Sequence, residues 1–329
     1  MNAVATKAGS PANTFLWLLK REYWENRGGF VWAQLITGGI VVVLSILMAI
    51  VSVVTLNSSD LNVGRGEDAD IAFSGVGDIT LLMGSAITGT VVAFVVFFYA
   101  LGSLYDDRRD RSALFWKSLP ISDTFTVLSK AAWALLLAPL ISVFIGMLIG
   151  LALWVVSAVT VMATGVEGAS DVFTGSHPFR ILGAMLATLP IGMLWSLPAV
   201  GWLMLCSAMA RSKPFLWAVL LPLLACVIVS VMGALPGIHL PLGSIWYVVF
   251  YRGLLSVVPG MWVLSRLAYN ETAETALNAS KNSADSLQMV LHNLIDPTIY
   301  ASLDLWIGAA VGVAFIALAI YARRWRDEA

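Results

Sequence analysis

Residues 131–161 read AAWALLLAPLISVFIGMLIGLALWVVSAVTV, a run without one charged side chain. An α-helix needs about 20 apolar residues to cross the hydrocarbon core of a bilayer, so this run is long enough to cross it and to tilt or project beyond it. Because the run is continuous and does not alternate between polar and apolar residues, it predicts a helix and not a strand of a membrane barrel.

The composition of the chain agrees with this interpretation. The chain is 59% hydrophobic and only 12% charged, whereas soluble domains carry about twice that share of charged residues. We predict an all-α polytopic membrane protein with six transmembrane helices at about 30–56, 79–104, 126–161, 180–210, 215–233 and 304–322. Residues 1–29 are expected to form a tail and an amphipathic helix, 30–322 the transmembrane domain, and 323–329 a second tail.

The distribution of Lys and Arg predicts the orientation of the chain, because these residues are enriched in cytoplasmic segments. With both termini inside, 14 of the 19 Lys and Arg residues lie on the cytoplasmic side. The other five lie outside and are Arg65, Arg180, Arg252, Arg266 and Lys281.

A large outer region, residues 234–303, separates the fifth and sixth predicted spans. Within it, residues 245–264 are long enough to span, but Arg252 and Pro259 interrupt the run and a buried charge is costly. A seventh span would also place Arg323, Arg324 and Arg326 outside. We therefore expect a re-entrant or interfacial element. Whether the outer region has a function or only packs on the bundle stays open.

Several motifs that carry chemistry are missing from the sequence. It contains no G-x-x-x-x-G-K-[ST], no H-E-x-x-H and no G-x-S-x-G. The three histidines are far apart, and Cys206 and Cys226 sit in apolar runs, so we expect no metal site and no disulfide. The net charge of -1 implies no nucleic-acid partner. The middles of the spans lack ionisable residues, which argues against an ion-coupled transporter.

The loop between the second and third spans, residues 105–125, is unusually charged and aromatic. It begins YDDRRDRSALFWKSLP. Anionic lipid would explain its arginines, but not the three aspartates beside them or the cluster Leu114-Phe115-Trp116. Mixed charges next to an aromatic cluster are typical of a surface that docks on another protein.

The N-terminal stretch NTFLWLLKREYWENRGG predicts an amphipathic helix lying in the plane of the membrane. Phe15, Leu16, Leu19 and Tyr23 share one face, while Lys20, Glu22 and Arg27 lie elsewhere around the helix. Asn13 or Thr14 can cap its start, and Gly28-Gly29 can end it. A membrane anchor and a contact with a partner both fit this helix.

Together these features resemble the permease subunits of ABC transporters of the ABC-2 exporter family. The most specific element is the loop of the form YDDRRDRSALFWKSLPISD, with Asp/Arg, a bulky aromatic residue and Lys-Ser-Leu-Pro. The N-terminal helix, the six spans and the outer region between spans five and six complete the resemblance.

The resemblance implies a membrane-embedded exporter subunit rather than an enzyme. Two permease copies would dock on two ATP-binding subunits in a bacterial inner membrane, with ATP and Mg on those partners and no cofactor on this chain. The N-terminal helix with Phe15, Leu16, Leu19 and Tyr23 would lie at the same interface. The coupling residues it implies are Asp106, Asp107, Arg108, Arg109, Asp110, Arg111, Leu114, Phe115, Trp116 and Lys117.

Other functions stay open on the sequence alone. A secondary transporter or channel, a membrane scaffold and a lipid-modifying enzyme are the alternatives, the last resting on Asp296, Asp304, His292 and Tyr300. The pairs Gly146/Gly150 and Gly308/Gly312 permit close helix packing, either between two copies or within one. An uncharged bundle suits lipids, lipid-linked compounds, hydrophobic peptides or drugs better than small ions.

Overall fold

The computed structural model describes residues 11–58, 67–109, 122–163, 171–235, 240–263 and 294–326, and this part of the chain is helical without a strand. The principal helices are α1 (Pro11–Arg27), α2 (Ala33–Ser58), α3 (Glu67–Arg109), α4 (Asp123–Ala163), α5 (Pro178–Met209), α6 (Leu216–Gly233) and α7 (Leu303–Arg326). Six helical stretches are long and apolar enough to cross a membrane, which confirms the predicted number of spans.

The N-terminal helix does not end at Gly28-Gly29, contrary to the prediction. A five-residue π-helical segment, Gly28–Trp32, carries the backbone from α1 into α2. Gly29 lies close against α3, since a Cβ at this position would be 2.9 Å from Val95 Cγ1. Gly29 therefore permits a close approach to α3, and neither glycine terminates the helix.

The centre of the bundle is formed by α3, α4 and α5, while α2 and α6 present mostly exposed apolar side chains. Glycines allow the backbones of α3 and α4 to touch. A Cβ on Gly84 would be 2.5 Å from the Cα of Gly150, and one on Gly146 would be 2.8 Å from the Cα of Ser85. Gly146 and Gly150 thus pack within one chain, because both residues face α3 and have no Cβ to hold it away.

The second glycine pair also packs inside the chain. A Cβ on Gly201 of α5 would be 2.5 Å from the carbonyl oxygen of Gly312, and one on Gly312 would be 2.7 Å from the nitrogen of Pro198. Gly308 makes room for the guanidinium of Arg252. Both glycine pairs therefore make contacts within a single copy of the chain.

Residues 242–263, here called the outer segment, enter the bundle without crossing it. The segment is helical over Leu242–Trp246 and π-helical over Tyr247–Arg252, and then turns through the 3-10 helix Leu255–Val257. Gly260, with φ of +80°, allows a second reversal. Among the described residues, the outer segment therefore forms no single helix long enough to span a membrane. The amphipathic stretch that follows in the sequence lies largely outside the described residues.

The contact between Gly312 and α5 predicts a difference between two Gly→Ala variants. Gly312→Ala should lower stability by about 1–3 kcal/mol, because the new methyl group meets backbone atoms that cannot move independently. The matched control is Gly39→Ala on α2, where no atom lies within 4 Å of the added Cβ. Thermal unfolding of the two purified variants measures the difference, and equal midpoints would contradict this packing.

Candidate functional site

The predicted coupling loop is partly helical and partly outside the described residues. Tyr105–Arg109 form the last turn of α3, and the described chain resumes at Ser122. The positions Asp110, Arg111, Leu114, Phe115, Trp116 and Lys117 fall in the undescribed part. The site can therefore be built from the two ends of the loop.

The two described ends of the loop are held by ion pairs to one buried arginine. Asp107 lies just before the undescribed residues 110–121, and Asp123 just after them. The guanidinium of Arg323, at the end of α7, lies 3.5 Å from Asp107 Oδ2 through Nη1 and 3.1 Å from Asp123 Oδ1 through Nε. Arg323 therefore connects the end of α3 with the start of α4 across the loop.

A second buried cation extends this arrangement to the N-terminal helix. Lys130 Nζ lies 2.9 Å from Glu22 Oε1 and 3.5 Å from Asp107 Oδ1. Tyr99 donates its hydroxyl hydrogen to Glu22 Oε2 at 2.7 Å. The side chain of Glu22 is only 1% exposed, so both of its oxygens are bonded away from water.

We call this set the terminal-face network, because it joins the helices at the end of the bundle where both termini lie. Its members are Glu22, Tyr99, Asp107, Asp123, Lys130 and Arg323. Three carboxylates and two cations leave it one negative charge. Opposite charges at these distances attract strongly when water is largely excluded. The network fixes α1, α3, α4 and α7 relative to one another.

Aromatic contacts hold α1 along the first turns of α4. The rings of Phe15 and Phe125 are 6.1 Å apart, and Tyr23 stacks on Trp133 at 5.8 Å. Trp133 Nε1 donates to the carbonyl oxygen of Leu19 at 2.8 Å. Leu16, which the sequence placed on the same face, is 61% exposed.

The packing face of α1 includes residues outside the predicted apolar set. Leu18 and Glu22, one helical turn apart, are its most buried described side chains, whereas the prediction placed Glu22 elsewhere around the helix. The physical reason is the pairing with Lys130 and Tyr99, which makes a carboxylate acceptable inside the packed face.

Four residues of the predicted coupling set, 106–109, are described, and they differ in whether their side chains bind within the chain or are exposed. Arg108 Nη2 donates to the carbonyl oxygens of Ser207 at 2.6 Å and Ala210 at 3.2 Å, at the end of α5. Arg108 and Asp107 thus bind within the chain. Asp106 and Arg109 have exposed side chains. Of these four residues, the exposed two are the ones that present charge at the surface beside the loop.

The buried side chain of Arg252 connects the outer segment to α5 and α7. Arg252 donates through Nη1 to the carbonyl oxygen of Trp195 and through Nη2 to that of Asp304, each at 3.0 Å. Its Nε lies 3.4 Å from Asp304 Oδ1, and its guanidinium carbon lies 3.8 Å from the centre of the Trp195 ring. The nitrogens of the guanidinium group therefore bond to carbonyl and carboxylate oxygens, and its plane lies over an aromatic ring.

Tyr247 completes this pair by donating to Asp304 Oδ2 at 2.7 Å. Burial, followed by this hydrogen bond, raises the pKa of the Tyr247 phenol above its ordinary value, so the hydroxyl stays a donor. The sequence predicted Arg252 on the outer side of the bundle but did not predict that it is buried against helices α5 and α7.

The residues considered for a lipid enzyme do not form a catalytic cluster in the described part of the chain. Asp296 accepts hydrogen bonds from the nitrogen and hydroxyl of Thr298, and Asp304 is bound by Arg252 and Tyr247. His292 lies outside the described residues. Among those residues there is no group of three or more His, Cys, Asp or Glu side chains that could hold a metal.

Comparisons with protein-family models, with curated proteins and with solved structures find no match for this chain. The functional argument therefore depends on the arrangement of its own residues.

Removal of Lys130 tests the terminal-face network. Lys130→Met should lower the free energy of unfolding by about 3–5 kcal/mol, because Glu22 would remain buried without its cation. Adding Glu22→Gln to this variant should restore part of the loss, since no orphaned charge would remain. The measurement is the thermal unfolding midpoint of the purified chain.

The control for this variant is Lys20→Met, which makes the same charge change on the exposed side of α1. Lys20 lies over the ring of Trp17 and should contribute less than about 1 kcal/mol. Similar destabilisation by the two lysine variants would show that the buried network does not hold the helices together.

Proposed function

We propose that the chain is the membrane-spanning permease subunit of an ATP-driven exporter of the ABC-2 type, coupled to a separate ATP-binding subunit. The single observation that carries the proposal is that Asp107 and Asp123, on either side of residues 110–121 of the loop, are bound to one buried cation, Arg323. A loop fixed in this way can transmit a displacement to the helices, whereas a loosely attached loop would absorb it.

The docking surface in this proposal is the loop 110–121 together with the exposed charges of Asp106 and Arg109. Phe115 and Trp116 supply the apolar anchors, and the charges determine the register of docking. The chain contributes no nucleotide site, so ATP and Mg belong to the partner subunit. Two copies of the permease and two ATP-binding subunits make the complete transporter.

Movement of the loop would reach the bundle through the terminal-face network. Lys130 joins α4 to α1 through Glu22 and to α3 through Asp107. Arg323 brings α7 into the same group. Closure of the two ATP-binding subunits would therefore move the cytoplasmic ends of these four helices together and change the path between the two permease copies.

The proposed orientation places the terminal face in the cytoplasm of a bacterial cell, with the protein in the inner membrane. Arg211, Lys213 and Arg324 lie at this end of the described bundle, in addition to the paired cations of the network. The apolar interior favours a lipid-like or otherwise hydrophobic substrate.

Copurification tests the proposal. The tagged chain is extracted from its native membrane in mild detergent, and the proteins that accompany it are identified by mass spectrometry. We expect an ATPase subunit with a P-loop. Changing both Phe115 and Trp116 to Ala should reduce its recovery by more than about ten-fold, because buried aromatic anchors dominate interfaces.

The control variant is Phe179→Ala, an aromatic residue 88% exposed at the start of α5, on the opposite face of the bundle. It should leave recovery of the ATPase subunit unchanged. If the native chain purifies alone under conditions that preserve other ABC complexes, the proposal is wrong.

A second candidate function is a secondary transporter, and the observation that favours it is the buried Arg252, which pairs with the half-exposed Asp304. Ionisable groups inside a membrane bundle often belong to ion or proton pathways. Vesicles that contain only the purified chain separate the two candidates. The exporter proposal predicts that an imposed proton or sodium gradient drives no uptake of a lipophilic dye without nucleotide and partner. Gradient-driven uptake that Arg252→Met abolishes would favour the secondary transporter.

A further inference from the structure

A cavity of about 100 Å³ lies between α3, α4, α5 and the outer segment. Along α3 it extends from Ser85 to Val96, which corresponds to about 16 Å at the rise of an α-helix. The outer segment covers it with Ser256, Pro259 and Trp262. Small residues of the spans, such as Gly89 and Gly192, leave the space that the cavity occupies.

Two hydroxyl groups at this cavity have no hydrogen-bond partner within the described chain. Ser256 is only 2% exposed, and its Oγ is buried and unpaired. Ser85 Oγ is likewise buried and unpaired, and both residues line the cavity. A buried hydroxyl without a partner is destabilising, so a group in the cavity that bonds to it would be bound favourably.

The other lining residues define what kind of molecule fits. Among the described residues, the lining contains no acidic, basic or histidine side chain, so a charged ligand would lose its hydration without gaining a counter-charge there. Thr188 and Ser196 already donate their hydroxyl hydrogens to the carbonyl oxygens of Met185 and Gly192 in their own helix. The rest of the surface is mainly apolar, with Val92, Ala93 and Val143 as examples.

We propose that this cavity is a binding site for a small uncharged alcohol, whose hydroxyl bonds to Ser256 and whose carbon chain occupies the apolar part of the cavity. An apolar cavity of about 150 Å³ accepts benzene, so about 100 Å³ admits a chain of four or five carbons. The site goes beyond the proposed function, because one chain forms it without a second copy or an ATP-binding subunit.

Photolabelling of the purified full-length chain with 3-azibutanol tests the proposal. This four-carbon alcohol carries a diazirine, and the labelled peptides are identified by mass spectrometry. Saturable labelling is expected within 85–96 of α3, 185–196 of α5 or 256–262 of the outer segment, with displacement by 1-butanol. Ala93→Leu, which places three extra carbons at the cavity wall, should remove it.

Two control variants, Ala86→Leu and Ser45→Ala, separate binding in the cavity from general effects of a substitution on labelling. Ala86→Leu adds the same carbons on an exposed side of α3 and should leave the labelling intact. Ser256→Ala should weaken displacement by 1-butanol by about five-fold, the value of one hydrogen bond, but not displacement by pentane. Ser45→Ala, on α2 and bonded to the carbonyl oxygen of Val42, should change neither.

Labelling spread over the lipid-facing surfaces of α2 and α6, without saturation, would overturn the proposal and indicate that the cavity holds water only. Saturable labelling that Ser256→Ala leaves equally sensitive to butanol and pentane would also overturn it, since the hydroxyl would then have no part in binding. Neither result depends on copurification of an ATPase subunit, so this proposal and the proposed function can fail separately.

Discussion

The position of Lys130 between Glu22 and Asp107 is the contact on which the arrangement of the terminal face depends. A buried ammonium group is unfavourable by itself, and so are two buried carboxylates, but the three together satisfy one another. The condition is strict, because any movement of α1 or α3 away from α4 would leave a charge unpaired. The network therefore specifies one relative position of the helices, which general apolar packing would not specify.

Farther from the terminal face, close contact between helix backbones specifies the relative positions of the helices. Helices in lipid gain little from burying apolar side chains, because the lipid tails are equally apolar, so small residues at the crossings become important. Gly84, Gly146 and Gly150 join α3 to α4, and Gly201 and Gly312 join α5 to α7. The outer segment lies against Gly89 and Gly192 and is held by Arg252. The cavity is the space that remains where helices and outer segment do not fill the interior.

The sequence predicted the spans well because one physical quantity, the length of an apolar run, decides them. The absence of charged side chains in residues 131–161 is sufficient to predict α4. Arg252 interrupts the apolar run at 245–264, and this interruption was a reason not to predict a seventh span. The packing face of α1 could not be predicted in the same way. The sequence interpretation grouped Leu16 with the apolar face and placed Glu22 elsewhere around the helix, whereas Glu22 is buried because of Lys130, more than 100 positions later. A lone lysine beside a long apolar run was the available signal for a buried partner.

The two ion-pair layers also determine how the bundle fits a bilayer. Along α7, Asp304 and Arg323 are 19 residues apart, about 28 Å, which is close to the thickness of a hydrocarbon core of about 30 Å. Both ends of α7 are thus held by charge at the two edges of the apolar layer. Helix α3, with 43 residues, is about 64 Å long and must tilt or project beyond this layer. Since α3 packs against α4 and α5, a tilt of α3 would involve these helices as well. A buried arginine is acceptable in the outer segment because it reaches the edge of the hydrocarbon, where the chain itself provides carbonyl oxygens, a carboxylate and an aromatic ring.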